Sequence, residues 1–492
     1  MALPAKFVET ALDEAGIEFE LSDLECAEFD YQSICINKET QTVQIIGHQA
    51  LEKTVTSLLK KRSVGLQHDD TKVVIDTEPT LTKLRGNGIE LSYEQLRAFN
   101  GLCNNSLSII NGGTKTGKTL VVRAAIDALL TNGENVRLIS PSTYAEEIGL
   151  LSVITESIQS FISKSKSRNR RCLLDKAFVI VDEAQIIDFL SLYKLLKHLP
   201  TNSKICFVGD HKKLPPLGPG NMFQQLVLTE SSYVSRFEHS YDTPCNGLSA
   251  FRKALSITDN QFDIHAIPNE QFTSPESISI FQNTETSHEV LSNLAANLWL
   301  EAFERYNQTS KVVCSSTSLC EKINEKIQQV RFYRMKIPSF STGESVFYES
   351  DPVLFKTKCT FLDIASGEFA FIHKIYEDSL LIHGRECLAS ISMGGEIIEM
   401  SKDDLECLSI SYALTAHKLQ GKEIENAIVI LDNPYLINKS WLYTVVAAIR
   451  ESMLLVGSRE HLETAISSNT YSEERYFGIP LKLEALYDIR NN

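Results

Sequence analysis

The stretch Gly112-Gly113-Thr114-Lys115-Thr116-Gly117-Lys118-Thr119 constrains this chain more than any other. It follows an apolar β-branched run, Leu107-Ser108-Ile109-Ile110, and opens a helical pattern over 120–130. That strand, turn and helix context is what the G-x-x-x-x-G-K-[ST] pattern demands, because glycines let backbone N–H groups close around phosphate oxygens. Lys118 would neutralise the terminal phosphates, Thr119 would ligate Mg²⁺, and the helix N-terminus favours an anion. The spacing predicts a loop, residues 112–119, that cradles ATP with Mg²⁺.

A matching acidic pair ends a second apolar run, Phe178-Val179-Ile180-Val181-Asp182-Glu183. Parallel sheets present ligand sites at the C-terminal ends of their strands. Alone, such a pair is often a strand end meeting solvent. Beside the loop, Asp182 reads as a second Mg²⁺ holder, and Glu183 joins Lys118 as a catalytic residue by polarising the attacking water.

Further apolar runs, Val136-Arg137-Leu138-Ile139 and Ile205-Cys206-Phe207-Val208, alternate with helical patterns, which predicts an α/β fold with a parallel sheet covered on both faces. A second set at Lys311-Val312-Val313-Cys314, Ala427–Leu431 and Met453–Val456 predicts a second α/β domain. Between them, over 336–404, strand-like runs such as Phe369–Ile372 and Ser379–His383 alternate with glycines, as in a small β-rich insertion. The acidic start, the alternation Val43–Ile46 and a helical stretch over 50–61 suggest a separate N-terminal module. The expected units are 1–88, 89–275, 276–335 with 405–492, and 336–404.

At 492 residues the chain exceeds what one core can hold. Lys plus Arg number 48 against 63 Asp plus Glu, a balance of 48 − 63 = −15, so broad adhesion to nucleic acid or anionic membrane is excluded and any nucleic-acid contact is local. The 11 cysteines include no C-x-x-C pair, the start Met1–Lys6 lacks a targeting pattern, and no run of 18 apolar residues occurs. A cytoplasmic protein with reduced thiols and no membrane partner is expected.

Four more segments stand in a telling order: Leu91-Ser92-Tyr93-Glu94-Gln95, then Val208-Gly209-Asp210-His211-Lys212-Lys213-Leu214-Pro215-Pro216, then Thr415-Ala416-His417-Lys418-Leu419-Gln420-Gly421-Lys422-Glu423, and last Tyr443-Thr444 leading through Arg450 to Met453–Gly457. Over 89–492 the chain resembles the superfamily 1 helicases, in the RecD-like branch that moves 5′ to 3′ on single strands. The resemblance implies two RecA-like domains and an SH3-like insertion. It makes Gln95 a reader of the adenine edge, makes Gly209-Asp210 a coupling turn, and groups Lys213, Gln420, Gly421 and Arg450 around the nucleotide. Thr415, His417 and Lys418 would grip the strand. Pro141 and Ser142 fall at the family's first DNA-contacting loop, and Thr155 in its next contacting segment. The basic run Lys164, Lys166, Arg168, Arg170 stands where the family inserts a strand-separating hairpin; it is short for a pin, and fits a single-strand clamp or a solvated loop equally. Single-stranded DNA is the implied partner, with RNA open on the same chemistry.

Departures from the family pattern concentrate around the γ-phosphate. Lys115 replaces a glycine of the loop, Lys213 replaces a glutamine, Ser240-Tyr241-Asp242 ends in a carboxylate where an arginine is usual, and Ala448 takes another arginine's place two residues before Arg450. Arginines at such positions are worth about 10³ to 10⁵ in rate. The expectation is an ATP-binding protein with weakened hydrolysis and unwinding, a pseudoenzyme acting as subunit or scaffold in DNA processing, its N-terminal module docking a protein partner. The competing expectation is an active helicase in which Lys115, Lys213 and Arg450 substitute. A small-molecule kinase is disfavoured by the second α/β domain.

Overall fold

The computed structural model describes residues 2–4, 34–37, 42–65, 75–140, 153–164, 176–229, 232–241, 247–256, 263–269, 277–285, 287–306, 310–332, 338–342, 345–359, 361–362, 364, 366–382 and 384–468. They fall into two units, Met1–Asp242 with Thr470–Asn492, and Thr243–Asn469.

In the first unit a small antiparallel sheet of β1 (Ala2–Pro4), β2 (Ile34–Asn37) and β3 (Thr42–Ile45) runs in the order β1-β3-β2. The main sheet has six strands: β4 (Leu107–Gly112), β5 (Val136–Ile139), β6 (Ile154–Glu156), β7 (Phe178–Val181), β8 (Lys204–Gly209) and β9 (Val234–Phe237). All pair in parallel, in the order β6-β5-β7-β8-β4-β9. Successive side chains point to opposite faces, so Val179 and Val181 join one core with Phe189, Leu195 and Phe207, while Phe178 and Ile180 join another with Phe99, Val121 and Ala125. Both faces are covered. That is why these strands read as unbroken apolar runs.

The helix Ile46–Gly65 contributes Val55 and Leu59 to the first of these cores. Near its end, buried Arg62 crosses to the C-terminus of the helix Phe189–His198. One guanidinium nitrogen donates to the carbonyls of Pro200 (2.8 Å) and Ser203 (3.0 Å), the other to those of Leu199 (2.7 Å) and Leu196 (3.4 Å). A helix leaves its last carbonyls unpaired, and a planar fork at that end satisfies several of them at once. Burial lowers the Arg62 pKa to about 10, still charged at neutral pH.

The second unit holds β10 (Ile278–Gln282) and β11 (Ser310–Cys314), then β12 (Ser339–Thr342), β13 (Ser345–Tyr348), β14 (Pro352–Phe355), β15 (Phe369–Ile382), β16 (Arg385–Met393), β17 (Glu396–Ser401) and β18 (Leu408–Ile410), and finally β19 (Ala413–Thr415), β20 (Ile424–Ile430) and β21 (Ile449–Gly457). Its core sheet is parallel, in the order β10-β21-β20-β11-β19. Between β11 and β19 sits the β-rich insertion, an antiparallel sheet β17-β16-β15-β14-β18 with the hairpin β12-β13. The runs Phe369–Ile372 and Ser379–His383 differ from expectation: Phe369–Ile382 is one strand, whose register against β16 shifts between Ile375 and Leu380. The fully buried Asp351 ties the insertion to the core, accepting from Tyr412 Oη (2.6 Å), Gln328 Nε2 (2.6 Å) and the Tyr348 amide (2.8 Å). Among the described residues no helix is long and apolar enough to cross a membrane.

Arg62→Ala strips one partner from four carbonyls and is expected to destabilise the first unit by about 3 kcal/mol in urea unfolding. Arg62→Lys should recover only part of that loss, since an ammonium cannot reproduce the fork.

Candidate nucleotide-binding site

Strand β4 delivers the loop and the helix Lys118–Thr131 receives it. Gly117 has φ +88°, and a Cβ there would strike the Gln95 side chain. Lys115 has φ +57°, the left-handed region that favours glycine, so the lysine in the glycine slot stands in a strained conformation. Within the loop, Thr116 Oγ1 donates to the Gly113 carbonyl at 2.9 Å. Lys118 Nζ donates to the carbonyls of Gly112 (2.6 Å) and Gly113 (2.7 Å). Burial lowers the Lys118 pKa, against the raising pull of Asp210, Glu183 and Asp182.

Two segments brace the loop from outside. Gln95 closes a capping box with Ser92, its Oε1 accepting the Ser92 amide at 3.0 Å, and its Nε2 donates to the Thr116 carbonyl at 3.1 Å. On the other side the Tyr241 amide donates to the Lys115 carbonyl (2.9 Å) and Ser240 Oγ to the Thr114 carbonyl (3.4 Å).

The acidic pair follows β7. Asp182 Oδ1 accepts the Glu183 amide at 2.9 Å, and Glu183 itself has φ +50°. Lys213 Nζ lies 3.0 Å from each Glu183 carboxylate oxygen, with side-chain exposures of only 13% and 19%, so water screens the pair weakly. Gln185 was not foreseen as a site residue: its Nε2 donates to Glu183 Oε2 and its Oε1 accepts the Asp210 amide at 3.1 Å. Gly209 is glycine because a Cβ there would lie 2.5 Å from that Gln185 oxygen. Asn111 at the end of β4 takes the His211 amide at 3.2 Å and faces its Nδ1 at 3.0 Å. Burial lowers the His211 pKa, which favours the neutral ring.

Electrostatically the two carboxylates part company. Burial, then repulsion from Glu183, raises Asp182 to about 6. Burial pushes Glu183 upward too, but Lys213 and Lys118 together hold its pKa below the ordinary value. For Lys213 burial favours the neutral amine, and Glu183 with Asp210 outweighs it, so its pKa is raised. Asp182, without an ion pair among the described residues, is the carboxylate a divalent cation would relieve. Thr119 in the first turn of the loop's helix would be its companion. No group of three or more His, Cys, Asp or Glu positioned for a metal occurs among the described residues. The donors fit Mg²⁺ held partly by phosphate and water rather than by an all-protein cage.

The first unit thus brings Gln95, the loop 112–119, Asp182, Glu183 and Lys213 together. The second carries Thr415 at the end of β19, His417 and Lys418 in the short helix Ala416–Leu419, then Gln420 and Gly421 with φ +74°. Arg450, on β21, pairs with Glu423, both more than two-fifths exposed. Thr155 lies on β6, half-buried, and Lys164 ends the helix Ile158–Lys164. Pro141, Ser142, Lys166, Arg168, Arg170 and Asp242 lie outside the described residues.

An AAA domain family model matches residues 90–242. The RecBCD enzyme subunit RecD of Buchnera aphidicola subsp. Acyrthosiphon pisum is 22% identical over 463 residues, covering 77% of this chain and 74% of that protein. The ATP-dependent RecD2 DNA helicase of Deinococcus radiodurans is 28% identical over 397 residues, 75% of this chain but 49% of its own length, so the chain spans about half of that relative. Among solved structures, Bacteroides Pif1 bound to single-stranded DNA aligns with a TM-score of 0.47 at 13% identity, over 75% of this chain and 92% of that one. Motif order and these sequence relatives agree: the chain is similar to the superfamily 1 helicases of the RecD-like branch.

Two outcomes follow from the geometry. Lys115→Gly removes a left-handed side chain and is expected to raise stability by about 1 kcal/mol, read as a higher unfolding midpoint. For Asp182 the folded carboxyl titrates near 6 and the unfolded one near 3.8. Between those values the folded chain binds more protons, so stability falls as pH rises from about 4 to about 6. Asp182→Asn is expected to remove that slope in thermal unfolding across the same window.

Proposed function

We propose that this protein is a RecD-like helicase-fold subunit that binds ATP with Mg²⁺ and single-stranded DNA, but hydrolyses ATP slowly and does not unwind efficiently. The observation that carries the reading is the bidentate Lys213–Glu183 pair, 3.0 Å to each oxygen. A general base must accept a hydrogen bond from water with a free, basic oxygen. Here both Glu183 oxygens face an ammonium, Oε2 also takes the Gln185 amide, and the carboxylate's basicity is lowered. A glutamine at position 213 would be neutral and could both donate and accept; a lysine can only donate. The loop keeps its lysine, its hydroxyls and its helix N-terminus, so binding survives where turnover is hindered. When bound, Mg²⁺ would sit with Thr119 and Asp182 and neutralise phosphate charge.

The same reading assigns the strand to the hydroxyl and basic side chains of Thr415, His417 and Lys418 and to the run 164–170. Contact is local, as the balance of −15 requires. One relative is named as a subunit of the RecBCD enzyme, which supports a role inside an assembly. We place the protein in the cytoplasm, docked to a protein partner through its acidic N-terminal residues.

The deciding experiment measures nucleotide binding and hydrolysis on one preparation, with and without single-stranded DNA. The wild type is expected to bind a fluorescent ATP analogue and turn over poorly even with DNA, Lys118→Ala to lose binding, and Lys213→Gln to hydrolyse about tenfold faster while binding equally well. DNA-stimulated hydrolysis by the wild type at ordinary helicase rates, or a slower Lys213→Gln, would sink the proposal.

A further inference from the structure

Eleven cysteines are scattered along the chain, and seven of them are described as free thiols. Two are in direct contact: the Sγ atoms of Cys314 and Cys320 lie 3.1 Å apart, both buried. Cys314 is the last residue of β11, and Cys320 sits in the first turn of the helix Thr317–Phe332. The backbone imposes their approach. Ser315 is anchored to Asp432 through its amide (2.9 Å) and hydroxyl (2.7 Å), and the Cys320 amide donates to the Ser316 carbonyl at 3.1 Å. With both ends of this turn held, the two sulfurs face each other over six residues of chain.

We propose that Cys314 and Cys320 form a modification site, a dithiol that closes to an intrachain disulfide on exposure to hydrogen peroxide. The first thiolate attacks the peroxide O–O bond, giving a sulfenic acid and one water. The second sulfur then attacks that sulfenic sulfur and expels another water. Two thiols lose two electrons and two protons, and the peroxide is reduced to two waters. Contact between the sulfurs makes the second step intramolecular, so a disulfide outruns further oxidation of a lone sulfenic acid.

The mutual hydrogen bond, and then burial, keep the Cys314 thiol protonated well above its ordinary range, so the resting pair is slow to react. The helix turn that carries Cys320 begins with the exposed Thr317 and Ser318, and opening of that single turn would admit the oxidant. Cys314 is in register with Thr415 of β19, so the crosslink would fasten the helix start to β11, the direct neighbour of the edge strand that carries Thr415. The proposal does not depend on the nucleotide-site reading.

The test uses the full-length native chain. Protein is treated with hydrogen peroxide, quenched, denatured, alkylated and digested with trypsin, which releases 312–322 with both cysteines in one peptide. In most chains that peptide is expected to carry no alkyl group and to be lighter by two hydrogens than its reduced form, while buried Cys206 is alkylated as in untreated protein. Dithiothreitol before alkylation should restore two alkyl groups, and Cys320→Ser should abolish the crosslinked species. Three results would each overturn the proposal: a doubly alkylated 312–322 after oxidation, sulfinic acid on either cysteine without a crosslink, or a disulfide from either to another cysteine. The wild-type mass decides the matter should the variant fold poorly.

Discussion

A parallel sheet buried on both faces can present chemistry only where its strands end. In the first unit Phe178 and Val179 point into opposite cores, as do Ile109 and Ile110, so the faces of the central strands are given mostly to packing. The C-terminal ends of β4, β7 and β8 lie side by side, because β4 pairs with β8 and β8 with β7. That adjacency gathers Asn111, Asp182 and Gly209 from three distant stretches of chain onto one edge. The loop, the acidic pair and the Asp210–Lys213 turn follow from it.

Crowding charges onto one dry edge forces them to settle accounts among themselves. Lys118 and Lys213 face Asp182, Glu183 and Asp210, each more strongly than it would in water. Lys213 takes Glu183, while burial and then the Glu183 charge raise the Asp182 pKa and give it a reason to hold a cation. A glutamine at 213 would leave Glu183 basic and the site more negative. One substitution therefore changes both the basicity of the carboxylate beside the attacking position and the charge presented to a nucleotide.

Much of this was legible in the sequence, and the gaps have physical causes. The strands β4, β7 and β8 were readable because double-sided burial writes itself as continuous apolar runs. Ile154–Glu156 is too short to carry a pattern, and Arg236 interrupts β9 with an outward charge. In β15 the exposed Glu377-Asp378 reads as a turn, although strand geometry runs through it. The family resemblance implied that Lys213 and Glu183 stand near the same phosphate, yet their direct pairing across thirty positions is a three-dimensional fact. Arg62 is the extreme case: its partners lie more than 130 positions away, and nothing local marks it as more than a surface charge.

Strain argues that the site is maintained rather than decaying. Among the described non-glycine residues four have positive φ, and two of them, Lys115 and Glu183, belong to the phosphate loop and the acidic pair. Each such conformation costs of order 1 kcal/mol and persists only where its surroundings over-determine it. Those surroundings are visible: the Tyr241 amide holds the Lys115 carbonyl, while Lys213 and Gln185 hold the Glu183 side chain. A loop released from nucleotide binding would have no cause to keep a lysine left-handed, since relaxation would lower its energy. On the proposed reading the cradle is kept in order to bind, and Lys213 is the point at which binding and turnover would separate.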